Sequence, residues 1–307
     1  MPIDAVLIAG PTASGKSEAA LALAKRARGA LINTDSMQVY REACILTTCP
    51  GAVALARAPH FLYGHAGVHE RYSAARYRSE AGEALQQARA DGRLPLFVGG
   101  TGLYFAALTE GLAEVPQIPE AVRNRVRSRR EAMGVQEFFR DLAARDSDSA
   151  VRLRPTDTQR VLRAAEVLEA TGKSLSYWQR HPGAAPLAGL RLARFVLSPP
   201  RQELHRRIEA RFDRMIAEGA LDEARALKGL DSALPSAKIL GLRQLSAVLD
   251  NRMTLDEAIA DAKTATRQYA KRQLTWFRHR MADWVWLDAT ESREIVAQVV
   301  EQLQTAG

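Results

Sequence analysis

The segment Gly10–Ser17, reading GPTASGKS, constrains this chain more than any other feature. It matches Gly-X4-Gly-Lys-Ser, with the apolar run AVLIA before it and the helix-forming run EAALALAKRARG after it. In that setting the glycines let the backbone wrap a phosphate so that several N–H groups point inward, and the following helix adds the positive end of its dipole. Lys16 supplies a point charge to phosphate oxygens, and Ser17 is placed to hold Mg²⁺ through its hydroxyl. Gly10, Pro11, Thr12, Ala13, Ser14, Gly15, Lys16 and Ser17 are therefore read as a cradle for a phosphate-bearing small molecule; the competing reading is a chance turn of the same composition.

Such a loop belongs at the end of a strand in a parallel sheet, and the patterning of the early chain agrees. AVLIAG, ALINT and LPLFVGG are short apolar runs separated by helical patterns, the arrangement of strand–helix–strand units. The helix after the loop is expected to close at Gly29, and SAARYRSEAGEALQQARADG to form a helix from an N-cap at Ser73 to Gly92. A late strand, LARFVLS, stops at Pro199 and Pro200. Between LPLFVGG and LARFVLS lie about ninety residues of helical, arginine-rich pattern, where a crossover normally needs a dozen or so. The expected fold is α/β: a P-loop nucleoside-triphosphate-hydrolase-like parallel sheet core, residues 1–115 and 188–307, carrying a helical insertion domain over residues 116–187. After Pro200 the pattern is again helical, with a long helix across Leu255 to Arg280.

At 307 residues, 47% hydrophobic and 25% charged, the chain reads as an ordinary globular protein. No apolar run approaches the roughly 18 residues that span a bilayer, and the N-terminus lacks a signal-peptide pattern, so the cytoplasm is the expected compartment. Cys44 and Cys49 have no second cysteine pair with which to form a zinc site and are read as reduced thiols. The net charge of +8 favours a polyanionic partner.

An ATPase or GTPase usually carries a second apolar strand ending in an Asp that holds Mg²⁺ through water. LPLFVGG instead runs into GGTG, which disfavours a motor or switch. ALINT delivers TDSMQVY to the carboxyl edge of the sheet, where ligands of such folds bind. Asp35 is then a carboxylate near the phosphates, able to accept a proton or to hold metal, and Ser36 and Gln38 offer groups that could read a base edge. The plainer alternative makes Asp35 the N-cap of a helix over SMQVY. GGTGLY puts Thr101 on a turn at the same edge.

Taken in order, GPTASGKS, TDSMQVYR, YSAARYR, GGTGLY, PTDTQRVLRAAEV and TRQYAKRQLTWFR resemble the tRNA dimethylallyltransferase family over nearly the whole chain. The resemblance implies that dimethylallyl diphosphate occupies the P-loop with Mg²⁺ on Ser17, and that the exocyclic amine of the adenosine 3′ of the anticodon (position 37) attacks the allylic carbon. It assigns catalysis to Asp35 as proton acceptor, Thr101 beside the reacting groups, and Lys16 on the diphosphate. It makes Arg207 and Arg211 lid arginines over the phosphates. Its tRNA contacts fall on Asp35, Ser36, Met37, Gln38, Thr101, Arg123, Gln159, Arg160, Val161, Leu162, Arg163, Lys271 and Arg272. The partners it implies are the tRNA anticodon stem-loop and dimethylallyl diphosphate, with no membrane and a monomeric chain.

Patterning adds detail. In DTQRVLRAAEVLEATG, Asp157 is a candidate N-cap and Val161, Ala165 and Leu168 form an apolar stripe. Lys263, Arg267 and Lys271 align at i, i+4, i+8, a stripe that could follow a phosphate backbone. Leu255, Ile259, Ala262, Tyr269 and Trp276 lie on another face and are read as core, as is Phe277. His60, His65 and His69 lack the carboxylate or cysteine pattern of a metal cluster. Phe61, where the family has a second His, and Leu242, where it has Tyr, depart from the family pattern. Three rival functions remain open: a prenyltransferase for free adenine nucleotides, a small-molecule P-loop kinase, and an RNA-binding regulator that senses nucleotide.

Overall fold

The computed structural model describes residues 3–288 and 292–305. The chain divides into two compact units, Met1–Thr109 with Pro186–Gly307, and Glu110–Ala185. The second unit thus starts at Glu110 and ends at Ala185, where the sequence pattern suggested 116–187.

The first unit is built on a six-stranded sheet of order β3-β2-β4-β1-β5-β6. Its strands are β1 (Ala5–Ala9), β2 (Gly29–Asn33), β3 (His60–Phe61), β4 (Leu94–Gly99), β5 (Leu192–Leu197) and β6 (Val285–Leu287), and every pairing is parallel. Every residue of β1 is buried because both faces of the sheet are covered, which is why the strand reads as a continuous apolar run. Ala5, Leu7 and Ala9 face a core with Tyr77, Phe105 and Phe277, whereas Val6 and Ile8 face Ala20, Leu23 and Ile295. The pairs Ala9 with Gly99 and Ala9 with Val196 bring the ends of β1, β4 and β5 level. Their carboxyl-end loops therefore meet at one sheet edge.

The sequence pattern missed β3 and β6, which at two and three residues are too short to show a period. The helix after the P-loop, Lys16–Ala27, ends at Arg28, which takes the left-handed conformation (φ 49°) expected of Gly29. Gly29 instead opens β2, where a Cβ would lie 2.8 Å from Leu96. Ser73 caps the Ala74–Ala90 helix by accepting the Arg76 N–H, and Gly92 (φ 62°) follows that helix. The Leu255–Arg280 helix has the expected bounds and begins with a capping box formed by Thr254 and Glu257. Ala262 and Phe277 on it are buried, and Leu255, Ile259 and Trp276 pack partly against the core. No helix forms over SMQVY.

The second unit is all-helical apart from one short backbone bridge. Its longer helices are Glu120–Met133, Val135–Arg145 and Thr158–Thr171, around a core of Val126, Phe138, Leu142, Val161, Ala164 and Ala165. Asp157 sits at the N-cap of the Thr158–Thr171 helix without a side-chain capping bond.

Candidate active site

The P-loop turns sharply through left-handed Ala13 (φ 63°) and Gly15 (φ 89°) into its helix. Lys16 is buried and its Nζ donates to the Pro11 carbonyl at 3.1 Å. Burial pulls the Lys16 ammonium down to about 8, against the attraction of the Asp35 carboxylate. Arg211 reaches the same loop from the Arg201–Ala217 helix, donating to Thr12 Oγ1 at 2.9 Å and to the Thr47 carbonyl at 3.3 Å. Its guanidinium is also lowered by burial, with Asp35 opposing. Neither Lys16 nor Arg211 has an ion-pair partner among the described residues. One buried and one half-buried cation, sharing the attraction of the single Asp35 carboxylate with no direct ion pair, leave a net positive charge that favours an anion. Arg207, one turn earlier, pairs with Glu203 at 2.5 Å and donates to the Ser14 carbonyl at 3.4 Å.

Asp35 is held by its backbone and by its own side chain. Buried Asn33 accepts the Asp35 N–H at 2.8 Å and donates to the carbonyls of Asp35 and Leu62, each at 2.9 Å. Asp35 Oδ1 accepts the Met37 N–H at 3.0 Å, closing an Asx turn in place of a helix cap. The Thr101 hydroxyl accepts the Ser36 N–H at 2.9 Å and donates to Ser36 Oγ at 3.2 Å. Gln38 uses its amide nitrogen to bind the carbonyls of Thr47 and Thr48 at 3.0 and 2.9 Å, which leaves its amide oxygen to read a ligand. Cys49 donates its thiol to the Gln38 carbonyl, and burial pushes that thiol up to about 12.

Lys16, Arg211, Asp35, Ser36, Gln38 and Cys49 line one cavity of about 740 Å³. Its polar wall is Thr12–Ser17, Asp35–Gln38, Arg211 and Arg272; its apolar wall includes Leu21, Leu31, Leu46, Tyr63 and Tyr269. Burial raises the Tyr63 and Tyr269 hydroxyls, and the Asp35 charge raises them further. Gly10, Pro11, Thr101 and Arg207 stand outside this wall. Thr101 therefore touches the cavity through Ser36 and the Asp35 loop, which it holds.

The expected tRNA-contact residues fall into both units. Arg123, Gln159, Arg160, Val161, Leu162 and Arg163 belong to the second. Gln159 and Arg160 are exposed, but Val161 is only 2% exposed and sits in the core, so its side chain is not available to a partner. Leu162 packs partly against that core. Burial lowers the Arg163 guanidinium, with Glu166 favouring and Arg123 disfavouring its charge. In the first unit the expected stripe on the long helix breaks up. Lys263 pairs with Asp213 at 2.6 Å and Arg267 with Glu209 at 2.8 Å, fastening that helix to Arg201–Ala217. Lys271 and Arg272 remain exposed, with Arg272 over the Tyr269 ring at 5.7 Å. The histidines go separate ways: His60 Nδ1 lies 2.8 Å from the Ala58 carbonyl and His65 Nε2 lies 2.9 Å from Glu80. Phe61 lies in β3, and Leu242 is buried in the core.

Asn33 and Gln273 escaped the sequence reading. Asn33 had one available signal, a polar residue at the end of an apolar strand. Gln273 Oε1 accepts the Thr12 N–H at 2.9 Å and its Nε2 donates to the Gly100 carbonyl at 2.8 Å.

Comparison with known proteins gives a consistent picture. A family profile described as IPP transferase matches residues 38–280. A tRNA dimethylallyltransferase of Methylobacterium radiotolerans is 50% identical over 287 residues, 92% of either chain. A tRNA isopentenylpyrophosphate transferase of Bacillus halodurans, solved by crystallography, is 32% identical with a TM-score of 0.70, covering 99% of this chain and 97% of its own. A eukaryotic dimethylallyltransferase, described as acting on tRNA, superposes with a TM-score of 0.82 at 25% identity, covering 98% of this chain and 79% of its own.

Proposed function

Because this chain belongs to the IPP transferase family, we propose that it transfers a dimethylallyl group from dimethylallyl diphosphate to the exocyclic amine of the adenosine 3′ of the anticodon (position 37) in tRNAs, releasing diphosphate and giving N6-isopentenyladenosine. The observation that carries this reading is that Lys16 and Arg211, neither in a direct ion pair among the described residues, share one cavity with the carboxylate of Asp35 and an apolar wall. The cations suit a diphosphate, the apolar side chains suit an isoprenoid, and the carboxylate suits an amine that must lose a proton.

The amine is a weak nucleophile because its lone pair is shared with the adenine ring. As its nitrogen bonds to the allylic carbon, the carbon–oxygen bond to diphosphate breaks and Asp35 accepts the amine proton, help typically worth ~10²- to 10⁴-fold. Lys16, Arg211 and the loop N–H groups stabilise the charge that grows on the leaving diphosphate. Thr101 and Asn33 keep Asp35 in place. The target base must leave its stack to enter the cavity, at a cost of a few kcal/mol.

A divalent cation fits the residues present. The Ser17 hydroxyl is exposed on the cavity wall at the first turn of the P-loop helix, and the nearby donors are hard oxygens. Mg²⁺ keeps several waters and binds through one or two protein oxygens plus substrate phosphates. Ser17 would hold it, and when bound it neutralises diphosphate charge.

Arg123, Gln159, Arg160 and Arg163, with Lys271 and Arg272, are assigned to the anticodon stem-loop, and Arg207 to closing over the phosphates. No helix among the described residues is long and apolar enough to cross a membrane. We read the protein as a cytoplasmic monomer.

The test is to incubate the protein with Mg²⁺ and labelled dimethylallyl diphosphate, and separately with labelled ATP, each with unmodified tRNA or with AMP. Label from the isoprenoid donor should enter tRNA. Label in AMP instead would make it a free-nucleotide prenyltransferase; phosphate transfer from ATP would make it a kinase; and no turnover would leave a binding protein.

A further inference from the structure

Gln273 is a buried polar side chain on the long helix, 6% exposed, and both ends of its amide are used. Its two partners lie 261 and 173 positions away along the chain, in the P-loop and in the turn after β4. The amide orientation is dictated by chemistry, because Thr12 offers an N–H and Gly100 offers a carbonyl. The turn is shaped around this bond: a Cβ at position 100 would lie 2.3 Å from Gln273 Nε2 and 3.2 Å from Asp35 Oδ2. Thr12 in turn accepts from Arg211, a half-buried cation on the cavity wall.

We propose that Gln273 is a positioning residue for the transfer step, clamping the donor loop to the turn beside the proton acceptor so that allylic carbon, amine and Asp35 are held in register. This rests on the function proposed above. One side chain joins the loop that grips the leaving group to the turn that abuts the Asp35 carboxylate, and it touches no reacting atom. Losing the clamp leaves both binding surfaces present and loosens the distance between them. Misplacement by about 1 Å can cost about 10²-fold in rate, so the loss should fall on kcat rather than on either KM.

The experiment compares wild type, Gln273→Met and Gln273→Glu in the labelled transfer assay, with kcat expressed per active site counted by dimethylallyl diphosphate binding. Gln273→Met keeps length and removes both bonds; its kcat should fall by about 10²-fold while both KM values stay within about threefold. Gln273→Glu supplies the distinguishing signature. Ionised, it accepts from Thr12 but repels the Gly100 carbonyl; protonated, it can accept from one and donate to the other, and burial raises the pH at which it protonates. Its kcat relative to wild type should therefore rise as pH falls, a recovery that Gln273→Met lacks. Kinetics per active site within threefold of wild type in Gln273→Met would overturn the inference. So would a KM for the donor that rises as much as kcat falls, or a Gln273→Glu ratio flat across pH. If Gln273→Met does not fold, the ratio for Gln273→Glu decides alone. A wild-type protein that transfers no dimethylallyl group to tRNA defeats the parent function reading; a competent wild type with an indifferent Gln273 defeats only the clamp.

Discussion

At the scale of single residues, the cavity is defined by cations that have no direct ion pair among the described residues. Lys16 is the clearest case, since burial lowers its ammonium to about 8 from the ordinary 10.5. Below pH 8 the free protein already carries the charge that a diphosphate needs. Above it, each binding event must take up a proton, because the bound anion raises the lysine again. Affinity for dimethylallyl diphosphate should therefore hold through pH 7 and weaken by up to about tenfold per pH unit above about 8, as read by equilibrium binding. An affinity that is flat or rising between pH 8 and pH 9.5 contradicts this assignment.

Asp35 allows a sharper separation of chemistry from structure. Asparagine keeps the oxygen that accepts the Met37 N–H, so the Asx turn survives while the proton acceptor is lost. Asp35→Asn should lower kcat by ~10²- to 10⁴-fold with tRNA affinity within about threefold. Equal losses in turnover and in tRNA binding would instead make Asp35 a binding group.

At the scale of elements, the turn Gly99-Gly100-Thr101-Gly102 shows how one short motif can be legible while its cause is hidden. The sequence suggests a turn at the sheet edge, and a turn is what forms. The reason for three glycines lies in three different neighbours. A Cβ at 99 would meet the Thr34 carbonyl at 2.0 Å, one at 100 would meet Gln273, and one at 102 would meet the Trp276 ring at 2.1 Å. Gly102 is the first residue of the Gly102–Thr109 helix, so alanine there gains less than the roughly 1 kcal/mol of propensity that applies in a helix interior. Overpacking against a ring typically costs about 1–3 kcal/mol. The clash should win, and Gly102→Ala should lower Tm by about 2–6 °C in a thermal melt. A Tm at or above wild type would mean that Trp276 moves aside at little cost. The Leu255–Arg280 helix shows what spacing leaves out of the basic stripe. Spacing alone puts Lys263, Arg267 and Lys271 on one face, but not the acidic residues Asp213 and Glu209 that meet the first two.

At the scale of the whole molecule, the proposed tRNA contacts fall on basic residues of each unit. Arg163 is the test in the second unit, half-buried beside Glu166 and Arg123. Arg163→Ala should weaken tRNA binding and make the slope of log affinity against log salt shallower by about 1. A slope equal to that of wild type would mean that Arg163 neutralises no phosphate. The parallel sheet, the P-loop, the long helix and the presence of an insertion were all legible in the chain. Each is written in neighbouring residues: a continuous apolar run for a strand covered on both faces, a 3.6-residue period for a helix, glycines and a lysine at set spacing for a phosphate loop. The burial of Val161, the convergence of Lys16 and Arg211 on one cavity with Asp35, and the Gln273 bridge could not be read that way. Each depends on which side chains the strand order and helix packing bring together across hundreds of positions. Local preference carries no record of that proximity, so it exists only once the chain has folded.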